Sequence, residues 1–287
     1  MMRCLVTGGA GFIGSHIAAR LLKSGHEVLV IDDLSAGKTK NIPEGAEFIN
    51  SSILHITPTD LEGVDAVFHN AASKKNICLI DPEYDMTVNG IGTLALLKLS
   101  VKVGVKHFIH ASTGSVYGEV KGTITENSPY NPVSYYGVSK LAGERYVSLF
   151  HDKMKTVILR YFHVYGPRQE DDPNLGGVVA VFKKQIKDGG IITLHGDGSQ
   201  KRVFTRVEDV VEANLAALHL HPSGKVYNCC SNYQVSVMAL AGALIRKADK
   251  PVSIKYLPPL PGDIYNFDVD NSKILQELGV SFSGYKL

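Results

Sequence analysis

Residues 7–14 read Thr7-Gly8-Gly9-Ala10-Gly11-Phe12-Ile13-Gly14. An apolar run, Arg3 to Thr7, precedes them. Phe12 to Lys23 follows with helical periodicity, Ile13, Ile17, Leu21 and Leu22 sharing one face. A strand that turns through glycines into a helix builds a cradle for phosphate. Gly8 permits the tight turn, Gly11 lets the backbone approach a pyrophosphate, and Gly14 allows close packing of helix on strand. The helix N-terminus at Phe12 and Ile13 then offers free N–H groups and the positive end of its dipole. These glycines are three apart, unlike G-x-G-x-x-G, and a glycine-rich turn with no ligand is the alternative. The second strand favours the ligand. Glu27 to Ile31 ends at Asp32 and Asp33, where a carboxylate can accept hydrogen bonds from an adenosine ribose. Acid at this point repels a 2′-phosphate, and the next residue is Asp33 rather than Arg or Lys, so NAD is favoured over NADP. Asp33 also fits a solvated loop carboxylate.

Outward from that segment, strand and helix patterns alternate: Glu47–Asn50, Ala66–His69, the long helix Tyr84–Val103, Lys106–His110, the helix Ser134–Phe150 and Thr156–Arg160. This spacing predicts an α/β fold, a doubly wound parallel sheet of the Rossmann type that binds ligands beyond the carboxyl ends of its strands. After Gly166-Pro167 short elements mix with glycine and proline. Residues 1–165 are therefore read as an NAD-binding domain and 166–287 as a smaller C-terminal substrate lobe. The boundary is soft, because the helix after Glu208 could still pack on the main sheet.

A chain of 287 residues with 44% apolar side chains can bury a substantial core. Net charge is +2 with no basic block, so no nucleic-acid partner is expected. Cys4, Cys78, Cys229 and Cys230 show no C-x-x-C spacing and no accompanying histidine cluster. Neither a disulfide frame nor a metal site is expected. The first strand begins at Arg3, leaving no room for a signal peptide, and no apolar run approaches transmembrane length. The expectation is a cytoplasmic protein with no membrane partner.

Tyr136-Gly137-Val138-Ser139-Lys140 opens the helix after strand five. The i to i+4 spacing puts Tyr136 and Lys140 on one face. A free tyrosine ionises near pH ~10, and a nearby ammonium is expected to lower that value. With 13 tyrosines in the chain such a pair also arises by chance. Its place on the ligand side of the sheet favours chemistry. Strand five leads into Ala111-Ser112-Thr113-Gly114-Ser115-Val116-Tyr117-Gly118, where a hydroxyl can bridge a substrate oxygen and the tyrosine.

T-G-G-A-G-F-I-G, N-A-A, S-T-G-S-V-Y-G, Y-G-V-S-K, L-R-Y-F-H-V-Y-G-P-R and G-D-G-S-Q-K-R-V-F occur in that order. Together they resemble the NAD-dependent epimerase/dehydratase group of extended short-chain dehydrogenases, most similar to the nucleotide-sugar 4-epimerases. The resemblance implies Tyr136 as acid/base, Lys140 as its electrostatic partner and ribose ligand, and Thr113 as hydroxyl relay. It implies that Ser112, Ala71, Ala72, Lys74 and Asn89 line the cofactor, with Lys74 also near the substrate. It implies that Arg202 grips the substrate diphosphate, a task suited to its two-point fork. Dehydratases of the group carry an Asp-Glu pair after the relay Thr; here Gly114-Ser115 stands there, which disfavours dehydration.

Three positions depart from the family pattern. His163 stands where the family has an Asn near the substrate diphosphate. Leu260 replaces an arginine before Pro261-Gly262-Asp263. Ser52-Ile53 takes the place of the Asp-Ile that contacts adenine. The chain also ends soon after Leu278-Gly279-Val280. The leading expectation is an NAD-dependent 4-epimerase of a nucleotide sugar resembling UDP-glucose or UDP-N-acetylglucosamine. A ketoreductase on the same scaffold is the second reading, favoured by His163 and Leu260, and a non-catalytic NAD-binding module the third. A homodimer through Tyr84–Val103 and Ser134–Phe150 is expected.

Overall fold

The computed structural model describes residues 1–73, 77–170, 176–259 and 267–283. Strands β1 (Arg3–Thr7), β2 (Glu27–Asp32), β3 (Glu47–Asn50), β4 (Ala66–His69), β5 (His107–Thr113), β6 (Lys155–Tyr161) and β7 (Lys225–Cys229) form one sheet in the order β7-β6-β5-β4-β1-β2-β3. Every neighbouring pair in it is parallel. Such a sheet needs cover on both faces, which is why β4 is buried at all four residues.

Beside a single turn at Ile77–Ile80, the α-helices among the described residues are α1 (Phe12–Lys23), α2 (Pro82–Val103), α3 (Tyr135–Ser148), α4 (Val178–Gly189), α5 (Val207–His219), α6 (Val237–Arg246) and α7 (Ser272–Leu278). On one face α1, α5 and α7 bring Ile17, Leu21, Val210, Leu215 and Ile274 onto Val6, Phe68 and Ile109. On the other, α2 and α3 bring Leu96, Leu97 and Val147 onto Leu5, Val67 and Phe108. Alternate residues of β5 thus serve opposite cores, as the period of a strand requires. The chain runs outward from β1 through β2 to β3, then returns to β4 on the far side of β1. That reversal opens a crevice at the carboxyl ends of β1 and β4.

Two elements differ from the sequence expectation in ways that matter. Strand β5 continues three residues beyond His110 to Thr113, carrying Ser112 and Thr113 to the crevice. Helix α2 begins at Pro82, where Asp81 accepts a hydrogen bond from the Tyr84 N–H at 2.8 Å and proline occupies the first turn. Its middle, Thr87–Gly92, winds as a π-helix. At 22 residues α2 is long and apolar enough to cross a membrane by length and composition, contrary to the expectation that no such run exists. Its buried face, with Val88, Leu96 and Leu97, sits in the sheet's core, so it is a core helix.

The second lobe packs Val179, Phe182, Ile192, Leu194, Phe204, Leu240 and Leu244 into its own core. Ile191–His195 pairs in parallel with Ser253–Leu257, and Lys201–Val203 pairs antiparallel with Gln234–Ser236. Within residues 166–287, however, α5, β7 and α7 return to the main sheet. Strand β7, Lys-Val-Tyr-Asn-Cys, is not among the strands expected from the sequence, because it lies inside the glycine- and proline-rich half.

Leu97→Ala should lower stability by about 2–5 kcal/mol, the usual cost of a buried Leu→Ala cavity. Val101→Ser, on the exposed side of the same helix, should stay within about 0.5 kcal/mol of wild type. Urea unfolding of both variants measures the difference, and equal effects would contradict a core helix.

Candidate active site

At the switch point two backbone segments nearly touch. Gly8 has φ +68°, and a Cβ built there would lie 2.7 Å from the Ala71 nitrogen. A Cβ at Gly14 would lie 2.3 Å from the Gly8 carbonyl oxygen. Only glycine fits either place. Asp32 accepts hydrogen bonds from the Ala10 N–H at 3.0 Å and the Leu34 N–H at 2.8 Å. Burial raises its carboxyl above the usual range, and these backbone donors oppose that shift.

Gly8, Gly11, Asp32, Asp33, Ser52, Ile53, Ala71 and Ala72, all expected at the cofactor, line one cleft of about 150 Å³. Phe12, Ile13 and Gly14 open α1 directly behind it. The cleft also takes in Asn70, which the sequence reading passed over. Both atoms of its side-chain amide are buried with no hydrogen-bond partner among the described residues. Such a group calls for a polar ligand, and its place at the end of β4 is the signal that could have found it. Glycines that leave no room for a Cβ, a carboxylate at the end of β2 and an orphaned amide between them fit a dinucleotide. Lys74 and Leu260 lie outside the described residues.

Two expected cofactor residues turn their side chains into the protein. Asn89, 1% exposed, accepts from the Ser73 N–H at 2.9 Å and donates to Asp85 and Ser139, each at 3.0 Å. The Ser139 hydroxyl in turn donates to Asp85. Asn89 thus ties the cleft wall at Ser73 to α2 and α3. The Ser112 hydroxyl donates to Glu144 at 2.5 Å, away from the cleft. Below the cleft, His69 bridges Thr7 at 2.8 Å and Thr93 at 2.9 Å. Burial, then the charge of Lys140, pushes its imidazole down to about 3, so it stays neutral.

Helix α3 starts at Ser134, whose hydroxyl accepts from the Gly137 N–H at 3.1 Å. Tyr136 and Lys140 follow on the inward face. A Cβ at Gly143 would lie 2.8 Å from the Asn89 carbonyl oxygen, so α3 can seat this deeply only with glycine there. Lys140 is 2% exposed and its Nζ donates to the Ala111 carbonyl at 2.7 Å. Burial pulls its ammonium down to about 8, against Glu144 and Asp85, which hold it up. Tyr136 is pushed up to about 12 by burial, then by Asp85 and Cys78. The expected lowering by Lys140 is not met: the ammonium gives up its proton near 8, before the phenol would ionise, while burial, Asp85 and Cys78 all act upward on Tyr136. Thr113 donates to Ser115 Oγ at 3.2 Å and accepts from the Ser115 N–H at 3.1 Å. At Gly114 a Cβ would lie 2.3 Å from the Phe162 ring.

In the second lobe Arg202 is 8% exposed, its Nη1 donates to the Lys201 carbonyl at 2.8 Å, and its guanidinium lies 5.5 Å from the Phe267 ring. The His163 ring is 5.3 Å from the same ring and 5.9 Å from Phe204, on a backbone at φ 37°. Phe267, distant in sequence from both, stands beside two of the expected substrate residues, His163 and Arg202.

Comparison with known proteins gives the same picture. Residues 4–230 match the family model described as the NAD dependent epimerase/dehydratase family. The chain is 36% identical over 278 residues to a putative UDP-glucose 4-epimerase of Methanocaldococcus jannaschii, covering 94% of this chain and 90% of that one. It is similar to the solved UDP-glucose 4-epimerase of Thermotoga maritima with UDP-glucose: TM-score 0.91, 38% identity, 98% of this chain and 94% of that one. It is also similar to the Bacillus cereus UDP-glucuronic acid 4-epimerase in complex with UDP-glucuronic acid and NAD: TM-score 0.90, 34% identity, 98% and 94% coverage.

Asn70→Leu, which removes the orphaned amide and keeps the bulk, should weaken NADH binding by about tenfold, the scale of one hydrogen bond. A fluorescence titration measures it, and an unchanged Kd removes Asn70 from the site. Lys140→Met should raise stability by about 1–2 kcal/mol at pH 7, because it replaces a buried charge. The sign follows from its proton: folding lowers the ammonium from 10.5 to about 8, so the penalty is full below 8 and fades as pH rises towards 10.5. Melting temperatures of the two proteins should therefore converge at high pH.

Proposed function

The chain belongs to the NAD dependent epimerase/dehydratase family, and from that premise we propose that it inverts a nucleotide sugar at C4 through a 4-keto intermediate, with NAD as cofactor. The observation that carries this reading is the seating of Tyr136 and Lys140 one turn apart on α3, with Lys140 anchored on the Ala111 carbonyl beside the strand end that holds Thr113. Printed functions of relatives support it: two of the similar proteins are UDP-sugar 4-epimerases solved with their UDP-sugars, one of them with NAD.

When bound, NAD supplies a reversible hydride acceptor. Gly8, Gly11 and the start of α1 would hold its diphosphate, and Asp32 its adenosine ribose. Tyr136, through the Thr113 hydroxyl, takes the proton from the sugar 4-hydroxyl and later returns it. Burial, Asp85 and Cys78 hold the phenol near 12, neutral at ordinary pH. A cationic group arriving beside it lowers that value. Arg202 and His163 hold the diphosphate while the keto sugar turns over. The crowding of Gly114 by Phe162 leaves no room for the carboxylate that dehydration uses, which favours epimerisation.

The second reading, a ketoreductase, draws on His163, whose ring between Phe204 and Phe267 stands in place of an amide. A homodimer fits α2 and α3, which expose Ile91, Val138 and Tyr135. A cytoplasmic setting fits the same reading.

Incubation with UDP-glucose and UDP-N-acetylglucosamine, with and without added NAD, followed by chromatography, tests the proposal. The 4-epimer should form with no net consumption of cofactor, whereas stoichiometric NADH use with a ketone supports the second reading. Tyr136→Phe should lower kcat by at least about a thousandfold while NADH binding stays within twofold. Wild-type turnover in that variant would falsify the role given to the phenol.

A further inference from the structure

Glu144 lies four residues beyond Lys140 and eight beyond Tyr136, so the three share the inward face of α3. Its carboxylate is paired with Arg160: Arg160 Nε donates to Oε1 at 2.9 Å and Nη2 to Oε2 at 2.7 Å. The side chains of Arg160 and Glu144 are 0% and 3% exposed. Arg160 stands opposite Ser112 in the β5–β6 register, and the Ser112 hydroxyl donates to the same Oε1 at 2.5 Å. One carboxylate therefore holds α3 to two neighbouring strands, at the residue before Thr113 and one turn from Lys140. The guanidinium's other donors reach Tyr117 and Tyr130. Tyr117 donates to Asn228 at 2.7 Å, and Asn228 to the Asp270 carbonyl at 3.2 Å, three residues from Phe267.

Such a pair is weak evidence for stability. Removing two charges from water is costly, and apolar residues of similar volume often stabilise a fold equally well. Its placement supplies another reason. We propose that Glu144 and Arg160 are positioning residues, which set the height of α3 on the sheet so that Tyr136 and Lys140 meet Thr113, and which keep a negative charge one turn from the Lys140 ammonium. This rests on the roles proposed for Tyr136 and Lys140. Facing Lys140 are Glu144 and Tyr136 on its own helix, Asp85 from α2, His69 from β4 and His110 from β5. Both histidines are held neutral by burial, which leaves Glu144 and Asp85 as the groups that favour the charged lysine.

The test compares Glu144→Gln, Ser112→Ala and the double variant Glu144→Met/Arg160→Met with wild type. The double variant should fold, bind NADH within twofold of wild type, and show kcat lowered by about tenfold or more with KM little changed. Glu144→Gln should move the alkaline limb of the kcat–pH profile down by about half a unit or more, because the lysine loses a carboxylate that favours its charged form. Ser112→Ala, which keeps both charges, should lower kcat several-fold without moving the limb. A folded double variant with more than half of wild-type kcat, or an unmoved limb in Glu144→Gln, overturns the proposal. Should the wild-type protein turn over no nucleotide sugar, the functional reading fails on its own. The positioning claim is then settled by the ultraviolet difference titration of the Tyr136 phenol in NAD-loaded protein, with Tyr136→Phe as blank. A shifted midpoint in Glu144→Gln sustains it, and an identical midpoint overturns it. If the double variant does not fold, the two single variants decide by the same readouts.

Discussion

Where β1 and β4 end side by side, the backbone of Gly8 and that of Ala71 approach so closely that no Cβ can stand between them. The crevice that follows depends on this contact. It sets the turn that aims the start of α1 outward, and it aligns the ends of the strands from which the cleft is built. The Thr7 hydroxyl receives the Ala71 N–H at 3.2 Å and meets His69 at 2.8 Å, so both sides of the contact are locked by a buried polar pair. Buried polar groups of this kind are stable only when fully partnered.

The opposite face of the crevice is built by hydrogen bonds between helices. Asn89, Asp85 and Ser139 tie α2 to α3 beneath the cleft wall, and Glu144 with Arg160 ties α3 to the strands. The π-helical turn in α2 belongs to this arrangement. It contains Asn89, and a π-turn of this kind frequently sits at functional sites. Lys140 is consequently held in a place with little water, where a charge is costly and its neighbours decide its protonation.

A few aromatic rings from both halves of the chain line the far side of the site. Phe267 stands beside both His163 and Arg202, and Phe162 fills the space above Gly114. The small residue at 114 and the bulk of Phe162 form one unit, since a side chain at 114 would meet the ring.

The sequence by itself determined the alternation of strands and helices, the glycine cradle, the acid at the end of β2 and the Tyr136–Lys140 pair, because each is a local pattern of period, spacing or steric need. It also placed Thr113 and the first turn of α3 close to where they stand. Tertiary structure alone decided that β7 joins the sheet from within the second half of the chain, that Ser112 and Asn89 turn inward, and that Tyr136 is raised rather than lowered. Each of these outcomes depends on partners far away in sequence: β6 for β7, Glu144 for Ser112, Ser73 and Ser139 for Asn89, Asp85 for Tyr136. Burial and long-range charge have no signature in a single stretch of residues, which is why they appear only when the chain has folded.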